Sequence, residues 1–208
     1  MMNCPMRRRM VIVGNGPVPC EMSAYVDSAD TVMRFNEPKA SAGMTGLRTD
    51  ILFVCNSGKP MQRRLLNPDY LELPTFKAAR EVIFPYHPLI IKRYFIKPNP
   101  LSWLKGRRAD FTFKALRVLG GAGKTIRILP PQFYEEGCRE LGLDKAAMKK
   151  VFPSTGYFGI RYALQHFPAP AWNIEICGFS WEGWSRHAWL DERRWVNERL
   201  GRSLTMLQ

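Results

Sequence analysis

Short apolar runs, each closed by a turn rich in Gly, Asn or Pro, alternate with segments of helical periodicity along most of this chain. The runs that predict β-strands are residues 9–13, 31–35, 50–55, 81–85, 125–129 and 173–177. The segments that predict helices are residues 17–27, 111–119, 131–141, 157–167 and 191–200. Strands that alternate with helices usually pair in parallel and are covered by helices on both faces. We therefore expect an α/β fold with a mostly parallel sheet between two layers of helices.

Length and composition agree with a single domain over residues 1–208. A chain of 208 residues is long enough for one α/β domain, and a hydrophobic fraction of 46% can fill its core. A first half at about residues 9–58 and a last part at about residues 150–208 flank a basic segment at about residues 86–110. Residues 89–105 are irregular, basic and interrupted by Pro, so we predict a mobile loop or lid there.

The cysteines and the N-terminus favour a cytoplasmic protein. The five cysteines are scattered and never spaced as C-x-x-C: Cys4, Cys20, Cys55, Cys138 and Cys177. This pattern predicts neither a disulfide framework nor a zinc site and suits a reducing compartment. The apolar run at residues 10–13 is too short for a signal peptide or a membrane span.

The chain is strongly basic, with a formal net charge of +13 and small clusters of Lys and Arg along its whole length. Such charge indicates either a solvated basic surface without a specific partner or an anionic partner. The anionic partner would be a membrane face or a phosphorylated glycan. Nucleic acid is the partner that we expect least, because no nucleic-acid-binding motif is present and the clusters do not follow one helix. Peripheral contact with the inner face of a membrane stays open.

Two Gly-containing blocks lie where a strand or loop meets a helix, at residues 11–17 and 152–157. Such turns present backbone N–H groups and hydroxyls to a phosphate or sugar. Ser154 and Thr155 also precede a predicted helix as candidate N-caps. The first block is not a dinucleotide fingerprint, because Pro19 stands where that motif needs Gly. Residues 120–125 are not a P-loop either, because Val118 stands where the motif needs its first Gly and a strand follows instead of a helix.

Polar residues at the ends of other predicted strands complete a candidate site. They are Asn36, Asn56, Ser57 and His87, and they would converge with Asn15 and Ser154 beyond the carboxyl edge of the sheet. Four tryptophans near the C-terminus either stack on a sugar or pack the core: Trp181, Trp184, Trp189 and Trp195. The chain contains no D-x-D pair to hold a metal ion against a diphosphate leaving group. We therefore expect no metal and no bound cofactor, and a leaving group such as a nucleoside monophosphate.

Three blocks in order resemble the motifs of the sialyltransferases, glycosyltransferase family 29. Gly14-Asn15-Gly16, Asp30-x-Val32-x-Arg34-x-Asn36 and Gly46-x-x-Thr49-Asp50 look like the long sialylmotif. Phe152-Pro-Ser-Thr-Gly-Tyr157, Ala163-Leu164 and Ile176-Cys177-Gly178-Phe179 resemble the short sialylmotif. His187 and Glu192 have the spacing of the very short motif. The chain is also similar to the short bacterial proteins labelled urease operon accessory proteins, although its three His residues form no tract that would indicate nickel handling.

The resemblance implies a Rossmann-like, metal-independent variant of the GT-A fold, a CMP-sugar donor and inversion at the anomeric carbon. It assigns donor binding to Asn15, Gly16, Asn36, Ser154, Thr155 and Gly156. It implies that His187 is the general base, which suits an imidazole that titrates near about pH 6.5, and that Glu192 supports this segment. The expected acceptor is an anionic glycan or glycolipid hydroxyl.

The chain departs from the family pattern in three places. Gly16-Pro17 stands where the long motif usually has a Ser beside its second Gly. Met10 and Phe167 lie near the positions of the disulfide that links the motifs in animal enzymes, so this bond is absent. Residues 180–186 also leave no room for the separate motif whose His assists the departing phosphate. Arg186 and the basic residues of the middle segment are candidate replacements for this His, and His87 is a reserve base. The alternative is a non-catalytic nucleotide-binding or accessory protein with the same fold.

Overall fold

The computed structural model describes residues 7–37 and 43–207 of the chain. Its strands are β1 (Arg8–Val13), β2 (Thr31–Phe35), β3 (Ile51–Phe53), β4 (Glu81–Phe84), β5 (Thr125–Ile128), β6 (Trp172–Cys177) and β7 (Thr205–Met206). Its α-helices are α1 (Ser23–Asp27), α2 (Gly58–Leu66), α3 (Asp69–Glu72), α4 (Pro74–Ala78), α5 (Pro88–Tyr94), α6 (Pro100–Leu104), α7 (Thr112–Gly121), α8 (Pro131–Glu140), α9 (Thr155–His166) and α10 (Trp189–Asn197). A 3₁₀ turn covers Ala147–Lys149.

The described strands form one seven-stranded sheet in the order β5-β4-β3-β2-β1-β6-β7, and each neighbouring pair is parallel. The chain moves outward from β1 to β5 and then returns to place β6 on the other side of β1. Val13 pairs with Cys177, so β1 and β6 end at the same level. A reversal of strand order of this kind opens a crevice at the carboxyl edge of a parallel sheet, where ligands bind in α/β proteins.

Both faces of the sheet are buried, as expected for parallel strands. In β1, Met10 and Ile12 point into a core that includes residues of α5, α8, α9 and α10. Val11 and Val13 point to the opposite face, where they pack with Val26 of α1. Further along that face, β3 and β4 pack against α2, α3, α4 and α7. The expected layered α/β architecture is therefore confirmed.

The six predicted strands are all present, but the first helix is shorter than predicted. We predicted a helix over residues 17–27, whereas α1 covers only Ser23–Asp27. Pro17 and Pro19 explain the difference, because Pro disfavours helical geometry at the residue before it. The short strand β7, which pairs with β6, was not predicted.

The prediction of an irregular segment at residues 89–105 is wrong over α5 and α6. Each helix begins with a Pro, Pro88 in α5 and Pro100 in α6, and Pro fits well at the first helical position. His87 and Asn99 cap these helices, because their side chains accept hydrogen bonds from Leu89 N–H at 3.1 Å and Ser102 N–H at 2.8 Å.

The described cysteines, Cys20, Cys55, Cys138 and Cys177, are all free thiols. Cys4, which belongs to the same prediction, lies outside the described residues. In the described ranges no helix is both long enough and apolar enough to cross a bilayer.

Candidate functional site

A crevice of about 290 Å³ opens where β1, β2 and β6 end, at the reversal of strand order. We call it the β1–β6 crevice. It is lined by Gly14, Asn15, Gly16, Phe35, Asn36, Ser154, Thr155, Gly156, Gly178, Phe179, Ser180, Trp181, Glu182, His187 and Trp189. It therefore brings together all of the predicted donor-binding residues and His187.

The floor of the crevice is a pair of glycine turns in direct contact. The backbone N–H groups of Gly14 and Gly16 donate to the carbonyl oxygens of Cys177 and Gly178 at 2.8 and 2.7 Å. A Cβ at Gly14 would lie 2.2 Å from the Gly178 oxygen, and one at Gly16 would lie 2.9 Å from it. Only glycine permits this approach, which explains why the first block has the sequence Gly-Asn-Gly. Asn15 closes the turn by donating from Nδ2 to the Phe35 carbonyl at 3.0 Å.

Asn36 follows β2 with a positive φ of 52°, a conformation that Asn adopts more readily than most residues. Its Oδ1 accepts the backbone N–H of Cys55 at 2.9 Å, which fixes the side chain. The Nδ2 group has no hydrogen-bond partner among the described residues. Asn36 can therefore present an amide donor to a ligand in the crevice.

The N-terminus of α9 forms one wall of the crevice. Ser154 is the N-cap, and its Oγ accepts the N–H of Tyr157 at 3.0 Å, so the predicted cap is confirmed. Thr155 is the first residue of the helix and is therefore not its N-cap. The first N–H groups of a helix have no partner within it and favour anions. Gly156 lets the Phe179 ring pack closely against this end, because a Cβ there would lie 3.1 Å from the ring.

Glu192 is fully buried behind this wall and does not line the crevice. Its carboxylate accepts hydrogen bonds from the Ser154 backbone N–H at 2.7 Å and from the Ser154 hydroxyl at 2.6 Å. Burial raises the pKa of Glu192 to about 7, although these hydrogen bonds act in the opposite direction. Glu192 is therefore a positioning residue that holds the start of α9.

His187 faces the crevice with its tautomer fixed. Its Nδ1 lies 2.8 Å from the carbonyl oxygen of Phe152. Because a carbonyl can only accept, Nδ1 carries the proton and the lone pair is on Nε2. Trp184 and Trp189 contact the imidazole edge-on, at ring-centroid distances of 5.0 and 4.8 Å. Burial lowers the pKa of His187, and the Phe152 hydrogen bond opposes this shift only in part. The imidazole is therefore neutral near pH 7 and can accept a proton.

Four further candidates lie outside the crevice lining. Asn56 is buried and donates to the Tyr86 carbonyl and the Thr112 hydroxyl, both at 2.7 Å. Ser57 is buried at the start of α2, and His87 caps α5. Arg186 donates from Nε to the Lys150 carbonyl at 3.0 Å. The structure gives these side chains partners or places away from the crevice, and their roles in binding stay predictions.

The crevice also contains aromatic residues that the motif analysis did not assign to the donor. Phe179 stacks on Trp181 at 5.5 Å, and Trp181 has a positive φ of 55°. The four tryptophans divide between the two alternatives: Trp181 and Trp189 line the crevice, Trp184 flanks His187, and Trp195 is buried against Tyr157. The one sequence signal for these aromatic residues was the tryptophan-rich stretch after the short motif.

Other residues of the long motif have structural roles. Arg34 is buried, and its guanidinium donates to the Thr45 hydroxyl at 2.9 Å and to the Gly46 and Arg48 carbonyls at 3.0 Å. Asp50 accepts the N–H of Val32 at 2.9 Å. These bonds tie the loop before β3 to β2, which holds Asn36 at the end of its strand.

The charge of the crevice differs from that of the whole chain. Its ionisable lining residues are Glu182 and His187, with no Lys or Arg among the described lining residues. Positive potential for an anion therefore comes from backbone N–H groups at the start of α9. In the described part of the chain, no group of three or more His, Cys, Asp or Glu side chains is arranged to hold a metal ion.

Known proteins resemble this chain in sequence and in fold. The urease operon 23 kDa accessory protein of Rhizobium meliloti (strain 1021) is 29% identical over 194 residues, which cover 91% of this chain and 88% of that protein. No protein-family model matches the chain. A mammalian sialyltransferase in complex with Gal-beta-1-3GalNAc-ortho-nitrophenol has a TM-score of 0.54 and 15% identity, covering 97% of this chain and 69% of the enzyme.

An alpha-2,3-sialyltransferase from Campylobacter jejuni in its apo form gives a TM-score of 0.51 at 13% identity, over 97% of this chain and 75% of that enzyme. At such low identity the similarity concerns the fold. The expected Rossmann-like architecture is thus confirmed, and the chain has the fold of the sialyltransferases.

Proposed function

We propose that this protein is a glycosyltransferase that moves an acidic sugar of the sialic acid or Kdo type from a CMP-sugar to a hydroxyl of a glycan or glycolipid. The observation that carries the proposal is the His187 side chain. Its Nδ1 is committed to Phe152, and the ring lines the same crevice as the start of α9. This arrangement supports a role for His187 as proton acceptor beside a helix end that would bind an anion, as transfer from a sugar phosphate needs.

The donor would bind through backbone and amide groups. The N–H groups at Thr155 and Gly156 would hold the phosphate of CMP, and Ser154 fixes the helix end that carries them. The Asn36 amide and the turn of Asn15 and Gly16 would contact the nucleotide. Trp181 and Trp189 offer flat apolar faces for a sugar ring.

The reaction would be a single displacement. The acceptor oxygen forms a bond to the anomeric carbon while its proton passes to Nε2 of His187. The bond from that carbon to the phosphate oxygen breaks, and CMP leaves with the bonding electrons. The helix dipole of α9 would stabilise the charge that develops on the phosphate. Attack opposite the leaving group inverts the anomeric centre, and the step requires no metal or cofactor.

The test combines CMP binding with turnover. CMP should raise the melting temperature of the wild type and of His187→Ala, whereas only the wild type should release CMP from a CMP-sugar in the presence of an acceptor. His166→Ala is the matched control, because His166 is at the other end of α9 and outside the crevice lining. Stabilisation by another nucleotide but not by CMP would contradict the donor assignment.

A non-catalytic accessory protein that retains nucleotide binding is the second candidate. The absence of Lys and Arg from the described crevice lining favours it, because nothing there obviously replaces the missing His that assists the leaving phosphate. The name of the Rhizobium meliloti relative points the same way. CMP binding without turnover, unchanged in His187→Ala, would support this candidate over the enzyme.

A further inference from the structure

The segment of residues 88–108, which contains α5 and α6, has an unusual charge. No Asp or Glu occurs between Glu81 and Asp110, whereas this stretch has six basic residues: Lys92, Arg93, Lys97, Lys105, Arg107 and Arg108. Arg93 pairs with Glu135 at 2.6 Å. Among the described residues, no ion pair with a carboxylate involves the other five. We call residues 88–108 the α5–α6 segment.

The same segment exposes large apolar side chains. Ile96 is 59% exposed, Leu101 is 73% exposed and Leu104 is 74% exposed. Trp103, between the two leucines, is 53% exposed, and the guanidinium of Arg108 lies 4.4 Å from the centre of its ring. Isolated exposed apolar residues are common, but a cluster rimmed by cations marks an interaction site.

The segment is joined to the wall that holds His187. Phe95, between α5 and α6, packs edge-on against Phe152 at 4.9 Å and Tyr86 at 5.0 Å. Phe152 supplies the carbonyl that fixes His187. The α5–α6 segment is therefore linked, through Phe95 and Phe152, to the backbone carbonyl that fixes His187.

We infer that the α5–α6 segment docks on an anionic lipid surface, with Leu101, Trp103 and Leu104 inserted at the level of the headgroups. Leu and Trp bury apolar surface at that depth, while Lys and Arg attract anionic headgroups. Trp favours the membrane interface, and a stacked Arg can reach the phosphates beside it. The positive charge of the segment attracts an anionic lipid surface and repels a cationic surface.

The apolar chemistry distinguishes lipid from nucleic acid. Single-stranded nucleic acid is held by aromatic stacking beside cations, to which aliphatic side chains add little. Here four of the five exposed large apolar residues are aliphatic, namely Leu89, Ile96, Leu101 and Leu104. The purpose of docking, to bring a glycolipid acceptor to His187, rests on the proposed function, whereas the binding itself does not depend on transfer.

Co-sedimentation of the full chain with lipid vesicles tests the inference. The wild type should bind vesicles of phosphatidylcholine mixed with phosphatidylglycerol and bind phosphatidylcholine alone weakly. Leu101→Ser/Trp103→Ser/Leu104→Ser and Lys105→Gln/Arg107→Gln/Arg108→Gln should each bind the mixed vesicles about 10- to 100-fold more weakly. Melting curves and CMP binding should stay at the wild-type level in both variants, because none of these residues lines the crevice.

Matched controls remove equivalent groups elsewhere. Leu47→Ser/Leu66→Ser changes two other exposed leucines, and Arg139→Gln/Lys145→Gln/Arg202→Gln removes three other exposed cations. Both should bind the mixed vesicles like the wild type. Equal loss in segment and control variants would overturn the inference, as would wild-type affinity in the two segment variants. Tighter binding to RNA than to vesicles would assign the surface to nucleic acid. His187→Ala should bind vesicles normally, so failure of transfer and failure of docking can be distinguished.

Discussion

Glu192 on α10 accepts two hydrogen bonds from Ser154, the N-cap of α9, at 2.7 Å from the backbone N–H and 2.6 Å from the hydroxyl. Ser154 Oγ in turn accepts the N–H of Tyr157. The C-terminal helix therefore holds the start of α9 in place. Because the first residues of α9 line the crevice, Glu192 positions a wall of the crevice that it does not itself line.

The burial of Glu192 predicts an unusual dependence of stability on pH. Its pKa is about 7 in the folded protein, whereas Glu titrates near about 4.3 in an unfolded chain. Between these values the folded state holds a proton that the unfolded state has released, so the contribution of Glu192 to stability falls as the pH rises through this window. Relative to Glu192→Gln, the wild type should lose about 3 kcal/mol between about pH 4 and pH 8. Urea unfolding at several pH values measures this difference, and parallel profiles would contradict it.

The lowered pKa of His187 predicts the acid limb of the pH–rate profile. Burial favours the neutral imidazole of His187, which is the form that can accept a proton. The imidazole therefore stays neutral at pH values below the ordinary pKa of about 6.5. kcat/KM should fall only below that pH and be constant through neutrality. His187→Asn, which keeps a donor for Phe152 but has no base, should lower kcat about 10²- to 10⁴-fold without weakening CMP binding. An acid limb centred above pH 6.5 would mean that another group titrates.

Much of the fold and of the β1–β6 crevice could be predicted from the sequence, because the relevant signals are local. The strands are short apolar runs, and the glycines around Asn15 mark a turn at the end of the first strand. Ser154 was identified as a cap because a cap and its helix are adjacent in sequence. Parallel strands also oblige their carboxyl ends to share an edge, which brought Asn15, Asn36 and Ser154 to one place.

The rest depends on contacts between distant residues. Glu192 and Ser154 are 38 residues apart, and nothing in either segment indicates which carboxylate closes the cap. Asn56 follows β3 as Asn36 follows β2, yet Asn56 is buried against Tyr86 and Thr112. The helices after Pro88 and Pro100 were missed because Pro starts a helix as readily as it ends one.

The contact between the two glycine turns predicts that Gly14→Ala is costly. Its Cβ would lie 2.2 Å from a backbone oxygen of Gly178, which cannot rotate away as a side chain would. We expect a loss of about 2 kcal/mol or more in the free energy of unfolding. Gly121→Ala is the matched control, because it ends α7 with nothing within 4 Å of the added Cβ. It should be neutral or slightly stabilising. Chemical denaturation compares the two, and equal losses would show that the contact between turns is not the cause.

Asn36→Asp separates the structural role of Asn36 from its role in binding. Asp retains an acceptor for the Cys55 N–H and tolerates the positive φ, so the melting temperature should stay near that of the wild type. It removes the Nδ2 donor and adds a negative charge to the expected site of an anionic nucleotide, so CMP should bind at least about tenfold more weakly. Asn36→Ala, which loses the acceptor as well, should also melt at a lower temperature.

Asn99→Asp is the control for the chemistry of that substitution. Asn99 also accepts a backbone N–H through Oδ1, from Ser102 at 2.8 Å, but it caps α6 outside the crevice lining. The Asn99→Asp substitution should leave CMP affinity unchanged, since the added charge lies outside the expected nucleotide site. Isothermal titration with CMP and melting curves for all three variants make the comparison. If Asn36→Asp bound CMP like the wild type, the Nδ2 group would not contact the donor, and Asn36 would serve only to fix the end of β2.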